Sequence, residues 1–506
     1  MKLLEKRLFS NRCNLSEKRD DKLKRSCKLF RDFPVRDRMD RSERYQTMNQ
    51  IYDIAIIGAG PGGIFSAWEL NRLRPDLSVC VLEKGNPLDR RHCPIDGVKI
   101  KECVSCPVCS IMNGFGGAGA FSDGKYNITN EFGGSLYEYI GVDQALDLME
   151  YVDQINMEMG GEGTRLFDNR ASSLSRLCLQ NELHLLKAKV RHLGTDVNRV
   201  VLGNLYDHLK DNVEFRFHAD VEDIIPENGL FLVTQTNGEK VFARKVIVST
   251  GRSGSHWMEE ICQKLGLKTE SSRIDIGVRV ELPYEIFSQM TDALYESKIV
   301  YRTRTYQDKV RTFCMNPHGI VVSENTNGIV TVNGHSYEDP ALWTDNTNFA
   351  LLVSNHFTEP FSQSNQYGES IARLSNMLGG GVIVQRFGDL IRGRRSNQER
   401  IDKGFVRPTL NATPGDLSLV IPKRQLDDII EMIKQLDRVC PGTASDDTLL
   451  YGVEVKFYNM EVEVDEHLET AIKGLYVIGD CSGVTHSLSH ASASGVYAAR
   501  CLVEEL

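Results

Sequence analysis

At 506 residues the chain is long enough for two or three domains with real cores, and its 41% hydrophobic and 25% charged content is ordinary for a globular protein. No apolar run approaches the ~18 residues of a membrane-spanning helix, and a net charge of −9 argues against a chain built as a whole to bind nucleic acid. The charge is uneven: residues 1–47 carry 15 Lys/Arg against 8 Asp/Glu, a net of +7 that leaves −16 on the remainder. That segment lacks an apolar signal core, is broken by Pro34 and shows no sustained helical period. It reads as a basic, disordered tail, with an arm for an acidic partner or RNA as the alternative; Met48, just before the first strand, is a second candidate start.

The first elements form a strand–turn–helix unit. Asp53–Ile57 reads as an apolar strand, and Gly58-x-Gly60-x-x-Gly63 as a tight turn into a helix that stops near Arg74-Pro75. A second strand, Leu77–Leu82, ends in Glu83, at the distance where an acid holds a ribose hydroxyl. A helix N-terminus after such a turn presents N–H groups to a pyrophosphate. The unit therefore predicts a dinucleotide site contacted by Gly58, Gly60, Pro61, Gly62, Gly63, Glu83 and Lys84.

Next comes a Gly- and Cys-rich stretch, about 86–135. Cys93, Cys103, Cys106 and Cys109 have the spacing C-x9-C-x2-C-x2-C, which suits an iron–sulfur cluster, a zinc ion, a redox dithiol at Cys106-Pro-Val-Cys109, or inert thiols. Thirteen cysteines without a secretion signal point to a reducing, cytoplasmic setting. Helices are expected near 136–160 and 180–191, and another from Gly194 to about Asp211 with Asp196 in its capping turn. Strands are expected at Val213–Ala219, Leu230–Thr236 and Ala243–Ser249, the last ending in Thr250-Gly251. From RIDIGVRVE (273–281) to about 440 a different region intervenes. Gly474–Asp480 then returns as a strand ending in Gly479-Asp480, before a small-residue helix.

A nucleotide fold interrupted by an insert and completed by a C-terminal Gly-Asp strand is the order of a glutathione-reductase-like flavoprotein, which shifts the dinucleotide from NAD to FAD. The expectation is an α/β chain with a discontinuous Rossmann-like FAD-binding domain (48–272 and 441–506) and an inserted α+β substrate domain (273–440). No second strand–GxGxxG–helix unit is present, so NAD(P)H would act as a transient donor at the flavin face.

Over about residues 50–506 the chain resembles the bacterial FAD-dependent dehydrogenases, a largely uncharacterised family. The resemblance rests on GFGGAGAFSDGKYNITN (114–130), RHLGTD (191–196), RIDIGVRVE (273–281), TFCMNPHG (312–319), VNGHS (332–336), NTNFAL (346–351) and GLYVIGD (474–480). YNITN is also similar to the loop of a related flavoprotein family with a GGGRCN-type signature. One departure is Gly479-Asp480-Cys481, where relatives often have Gly-Glu-Gly. The resemblance implies FAD and an oxidoreductase activity without a substrate. It also implies that Gly116, Gly117, Ala118, Gly119, Ser122, Asp123 and Lys125 line the cofactor with Gly251, Gly479 and Asp480.

Candidates for the reacting face are Cys314, His318 and His335 in the insert, with Asn333, and His490 beside His486 near the C-terminus; a histidine can donate the proton that accompanies hydride transfer. Arg302, Arg304 and Arg311 can bind an anionic substrate, although Arg302 and Arg304 alternate as a solvated face would; the RGRR run 392–395 has the same two readings. The reading is an FAD-dependent oxidoreductase acting on a small molecule, with a nicotinamide or ferredoxin-like electron donor. The alternatives are a non-catalytic flavin redox sensor or assembly partner, and an RNA-acting flavoprotein using the basic tail.

Overall fold

The computed structural model describes residues 50–94, 104, 106–122, 124–168, 173–270, 273–294, 297–326, 328–337, 340–358, 361 and 363–506. The basic tail 1–47, Cys103 and Asp123 lie outside the described residues.

The opening unit is β1 (Ile51–Ile57), α1 (Pro61–Leu73) and β2 (Val79–Glu83). β2 is buried along its whole length, as a run apolar on both faces must be in a parallel sheet. The chain later adds β3 (Val213–Phe217), β4 (Val221–Glu227), β5 (Leu230–Gln235) and β6 (Lys240–Val248). Strands β3, β2, β1 and β6 are parallel neighbours in that order, and β5 and β4 continue antiparallel from the first half of β6. β4 was not anticipated; its alternation is weak because its last residues are exposed.

Helices α2 (Val142–Asn156) and α3 (Gly194–Leu209) pack into the core on one face of this sheet. The N-cap of α3 is Leu193, so Asp196 lies in the first turn and caps nothing, and the Thr195 hydroxyl donates to the Ser122 carbonyl at 3.1 Å. The helix expected at 180–191 is absent. A helix ends at Gln180, His184–Leu185 is a short strand at the edge of a second sheet, and Lys189–His192 is the middle strand of a small three-stranded one. Leu183, Leu185 and the alternating Ala188 and Val190 are all buried, so strand pairing overrides local helix preference here.

The second sheet is built on β7 (Arg273–Pro283), with β8 (Ile299–Arg302) and β9 (Lys309–Asn316); a separate two-stranded hairpin, β10 (Ile320–Thr326) and β11 (Ile329–His335), precedes its remaining strands β12 (Asn346–His356), β13 (Ile383–Arg386) and β14 (Leu449–Phe457). Its order is Thr413–Pro414, β13, β14, β7, β12, β9, β8 and His184–Leu185. β14 lies at its centre, so this sheet reaches Phe457 rather than 440 and also draws in residues before 273. The alternation of β7 explains the placement. Ile274, Ile276, Val278 and Val280 face an apolar core shared with α4 (Lys423–Leu436), while Asp275, Gly277, Arg279 and Glu281 face the other way and are buried as well. A Cβ on Gly277 would lie 1.7 Å from the Leu351 carbonyl oxygen, so only glycine lets β12 approach.

On α4, Asp428 is fully buried, and burial together with the neighbouring Asp308 raises its carboxyl to about 7. The folded value lies above the unfolded one, so the native state binds more protons between about pH 4 and 7, and stability falls as pH rises through that window. Asp428→Asn is expected to stabilise the protein at pH 8, by on the order of 2 kcal/mol, and to do little at pH 4; urea titrations at the two pH values measure this.

The chain then returns to the first sheet. β15 (Leu475–Val477) pairs parallel with β6, and α5 (Leu488–Glu505) packs against α1. No helix among the described residues is long and apolar enough to cross a membrane.

Candidate functional site

The glycine turn sits where the two ends of the first sheet's sequence converge. A Cβ on Gly58 would meet the Ser249 oxygen at 2.4 Å, one on Gly62 the Ser249 Oγ at 2.5 Å, and one on Gly63 the Gly58 oxygen at 2.0 Å. These three glycines are needed for packing. Gly60 differs: the nearest atoms to a Cβ there are 4.0 Å away, and no side chain caps the N-terminus of α1, which begins at Pro61. The backbone at Gly60 is thus open, with a helix dipole behind it. From the C-terminal side, Gly495 touches the turn so closely that a Cβ would lie 2.2 Å from the Gly62 oxygen.

Glu83 does more than end a strand. It is buried, and its carboxylate accepts N–H bonds from Ala59, Gly85 and Gly114, each at 2.8 Å. One oxygen holds the glycine turn and the other the loop after residue 113. That loop is held a second time by Arg91, which donates to the carbonyls of Ile111, Phe115 and Gly117 at 2.7–2.8 Å and of Ser110 at 3.0 Å. Burial lowers the Arg91 pKa to about 10, still charged at neutral pH. Arg91 escaped the sequence reading because nothing local marks an arginine whose partners are carbonyls some twenty residues on.

The loop 114–121 lies against the turn. Gly116 and Gly117 adopt φ of 87° and 56°, the Gly116 N–H donates to the Ala59 carbonyl at 2.8 Å, and Gly117, Ala118 and Gly119 form one short helical turn. The Ser122 hydroxyl donates to the Gly119 carbonyl at 2.7 Å. Lys84 points away from this cleft and pairs with Asp220 at 3.2 Å. Gly251 has φ 63° and open space around it, whereas Gly479, φ 67°, donates its N–H to Ser494 Oγ at 3.1 Å. Asp480 accepts from the Thr485 hydroxyl at 3.2 Å, and burial raises its carboxyl against the opposing pull of Arg252.

Immediately beyond Asp480 the chain forms one wall of a cavity of about 270 Å³ on the polar face of the second sheet. The His486 N–H donates to the Gly133 carbonyl at 2.7 Å, and the Ser135 N–H to the Val484 carbonyl at 2.8 Å, so the segment 130–135 closes against 484–486. The opposite wall is the polar face of the second sheet, with Arg273, Lys298, Lys309, Arg311 and Lys456. His486 is held neutral by burial and by Lys456 and Arg273.

The proposed reacting residues fall elsewhere. His318 is stacked between Tyr284 and Trp343, with centroids at 3.7 and 4.5 Å, and its Nδ1 lies 2.9 Å from the Thr344 carbonyl oxygen. His335 is exposed and packs edge-on to Tyr337. The Cys314 carbonyl accepts from Arg279, and Asn333 accepts from the same guanidinium. None of the four lines the cavity. His490 is fully buried, its Nδ1 is 2.8 Å from Ser487 Oγ, and burial lowers it to about 4, so at neutral pH it is not a proton donor. Arg302 is exposed, and Arg304 pairs with Glu182 at 2.6 Å and Arg392 with Asp446 at 2.8 Å, as solvated faces do, whereas Arg394 pairs at 2.7 Å with the buried Asp389. Cys93 and Cys109 are partly exposed and Cys106 exposed; among the described residues no three His, Cys, Asp or Glu side chains converge as a metal site.

Fold and cleft together define a mixed α/β protein with a glycine-turn nucleotide-type cleft bordered by a second sheet. Residues 273–457 match the family model described as FAD-dependent protein, C-terminal domain-like. No curated protein matches the sequence. Among solved structures the chain is similar to glycine oxidase from Geobacillus kaustophilus (12% identity, 90% of this chain and 95% of that one, TM-score 0.37). It is also similar to p-nitrophenol 4-monooxygenase from Pseudomonas putida DLL-E4 (12% identity, 90% and 81%, TM-score 0.35) and to E. coli quinol fumarate reductase (13% identity, 90% and 70%, TM-score 0.38).

Proposed function

We propose that the chain is an FAD-dependent oxidoreductase of glutathione-reductase-like arrangement, with FAD in the glycine cleft and a small-molecule substrate in the cavity beside it. The observation that carries this reading is the meeting of Gly58–Gly63 with β15 and α5, so that one cleft is completed from both ends of the described chain. The family match over 273–457 supports the same cofactor.

The residues present suit the group. The open backbone at Gly60 and the uncapped start of α1 take the pyrophosphate, and Glu83 and Arg91 fix the loop that faces it. Gly251 leaves room beside Asp480, whose carboxylate is available to a ribityl or ribose hydroxyl. When bound, FAD supplies two-electron chemistry at its isoalloxazine. The chain's own part is to orient the substrate on the polar sheet face, exclude water with the 130–135 and 483–486 segments, and move one proton. His486 lines the cavity and is held towards its neutral form, by burial first and then by neighbouring cations. It can take up the proton that accompanies hydride transfer. The electron donor is proposed to be a nicotinamide nucleotide binding transiently or a ferredoxin-like protein.

The test is an absorbance spectrum of the purified protein with identification of any released nucleotide. A stoichiometric flavin band that bleaches on reduction is expected. Failure to retain FAD after incubation with it, or release of a nicotinamide nucleotide in its place, would overturn the assignment.

A further inference from the structure

The cavity on the second sheet has a charge pattern that the flavin reading does not require. Strand pairing assembles it. Lys309, Arg311 and Phe313 alternate along β9, Arg273 and Asp275 along β7, and Lys456 and Tyr458 continue one face of β14 and the residue after it, with Asp275 directly opposite Lys456 in the register. Lys298, just before β8, adds a fifth cation. These residues are up to 185 positions apart in sequence, yet they meet at one wall.

The wall is deep. Lys298 is 8% exposed and Arg311 7%. Two aromatic rings partly accommodate the cations: Lys298, Arg311 and Lys456 lie 5.1, 4.8 and 4.5 Å from the Phe313 centroid, and Arg273 lies 4.4 Å from that of Tyr458. The buried anion among them is Asp275. Its carboxylate accepts from Arg311 at 2.6 Å and from the Tyr458 hydroxyl at 2.7 Å, and Arg311 and Arg273 outweigh burial to hold it at about 2. Four glutamates also border the cavity, at its mouth: Glu131, Glu138 and Glu270 are exposed and Glu461 half-buried. Two of these already accept bonds, Glu131 from the Lys187 N–H and Glu461 from the Tyr139 hydroxyl.

Among the described residues, the part of the wall formed by Arg273, Lys309, Arg311 and Lys456 therefore carries more positive than negative charge. The cations register this mutually: burial and then Arg311 hold Lys456 well below its ordinary range, and burial and then Arg273 lower Lys309. A protein that needed only to pack this face would place apolar residues here, since unmatched buried charge costs stability. Resting on the flavin reading for its chemistry but not for its geometry, we infer that this cavity is the substrate site, and that its ligand is a small organic acid carrying two or more carboxylate or phosphate groups. The volume suits such a ligand, since it falls just below the roughly 300–1,000 Å³ typical of drug-sized ligands.

Calorimetric titration of the full-length, FAD-loaded protein with tricarballylate and with pyrophosphate tests this, with the triamide of tricarballylate as the uncharged control. Saturable binding of at least one anion and none of the triamide is expected. Tricarballylate alone would identify carboxylates as the recognised groups, and pyrophosphate alone phosphates. Lys309→Gln and Lys456→Met should each weaken binding about tenfold or more, while Arg302→Gln, at an exposed position outside the cavity, should leave it unchanged. Should Lys456→Met fail to fold, Lys309→Gln, at a half-buried position, carries the test. Binding of neither anion, or binding indifferent to both lysine variants, would overturn the inference. Flavin content is read on the same samples. A flavin-loaded protein that binds neither anion sinks this inference alone, whereas a protein without flavin that binds tricarballylate through Lys309 sinks the cofactor assignment and leaves the anion site standing.

Discussion

Glu83→Gln is expected to lose both stability and cofactor retention, although it removes only a charge. In the native protein three backbone N–H groups converge on one buried carboxylate, two on Oε1 and one on Oε2. A glutamine can offer an oxygen to one side only. Whichever way it turns, its NH2 group faces at least one N–H at hydrogen-bond distance, leaving donors opposed and unsatisfied in a buried site. Each unsatisfied buried donor costs about 1–3 kcal/mol, and charge-assisted bonds are lost besides, so a fall of about 3–5 kcal/mol is expected in urea unfolding. Flavin affinity should fall in parallel, because Ala59 and Gly114 are what the carboxylate holds together. Glu83→Asp keeps the charge but shortens the reach, and it should retain more flavin than Glu83→Gln. The opposite order would show that the acid matters for a ribose contact more than for the loop.

Arg279→Met is expected to be the most damaging change in the second sheet. Arg279 and Glu454 form a bidentate pair at 2.8 and 2.8 Å, and the remaining guanidinium donors reach the Cys314 carbonyl and the Asn333 and Asn348 side chains. Both partners are buried. Removing the arginine leaves a carboxylate in a low-dielectric core, for which about 3–5 kcal/mol is expected. The double variant Arg279→Met with Glu454→Met should recover much of that loss, because the charge and its partner go together; a double-mutant cycle in urea measures this. The single variant has a pH signature. Burial raises the Glu454 carboxyl and Arg279 opposes the rise. Without Arg279 the folded pKa stands further above the unfolded one, so Arg279→Met should regain stability as pH falls below that raised value.

The parts of this molecule that were legible in the sequence are those whose signal is local. Strand, Gly58–Gly63 turn and helix lie within about 25 residues, and Gly58, Gly62 and Gly63 each meet a steric demand that their neighbours impose. The strand before Gly479-Asp480 was legible for the same reason. Glu83 stood out in the sequence as the acid that ends β2, but its observed partners at Gly85 and Gly114 did not, since no spacing rule links an acid to a loop thirty residues later. The cationic wall was half visible: β9 shows Lys309, Arg311 and Phe313 in alternation, yet only pairing with β7 and β14 brings Arg273 and Lys456 beside them. His318, His335 and Cys314 drew attention as reactive residue types, and type alone could not reveal that aromatic stacking or strand ends account for them. LLYGVEVKF reads equally well as a strand of either sheet, which is why the boundary near 440 missed its place at the centre of the second.

The position of α5 has a bearing on biosynthesis. Gly495 closes on Gly62 across 433 residues, and Ser66 Oγ donates to the Gly495 carbonyl at 3.1 Å. A chain still emerging from the ribosome can form β1, α1 and β2 early, but it exposes the apolar flank of α1 until residues near 500 are released. Closure of the glycine cleft is thereby postponed until α5 has been made, and nascent or truncated chains lacking α5 should be clients of chaperones.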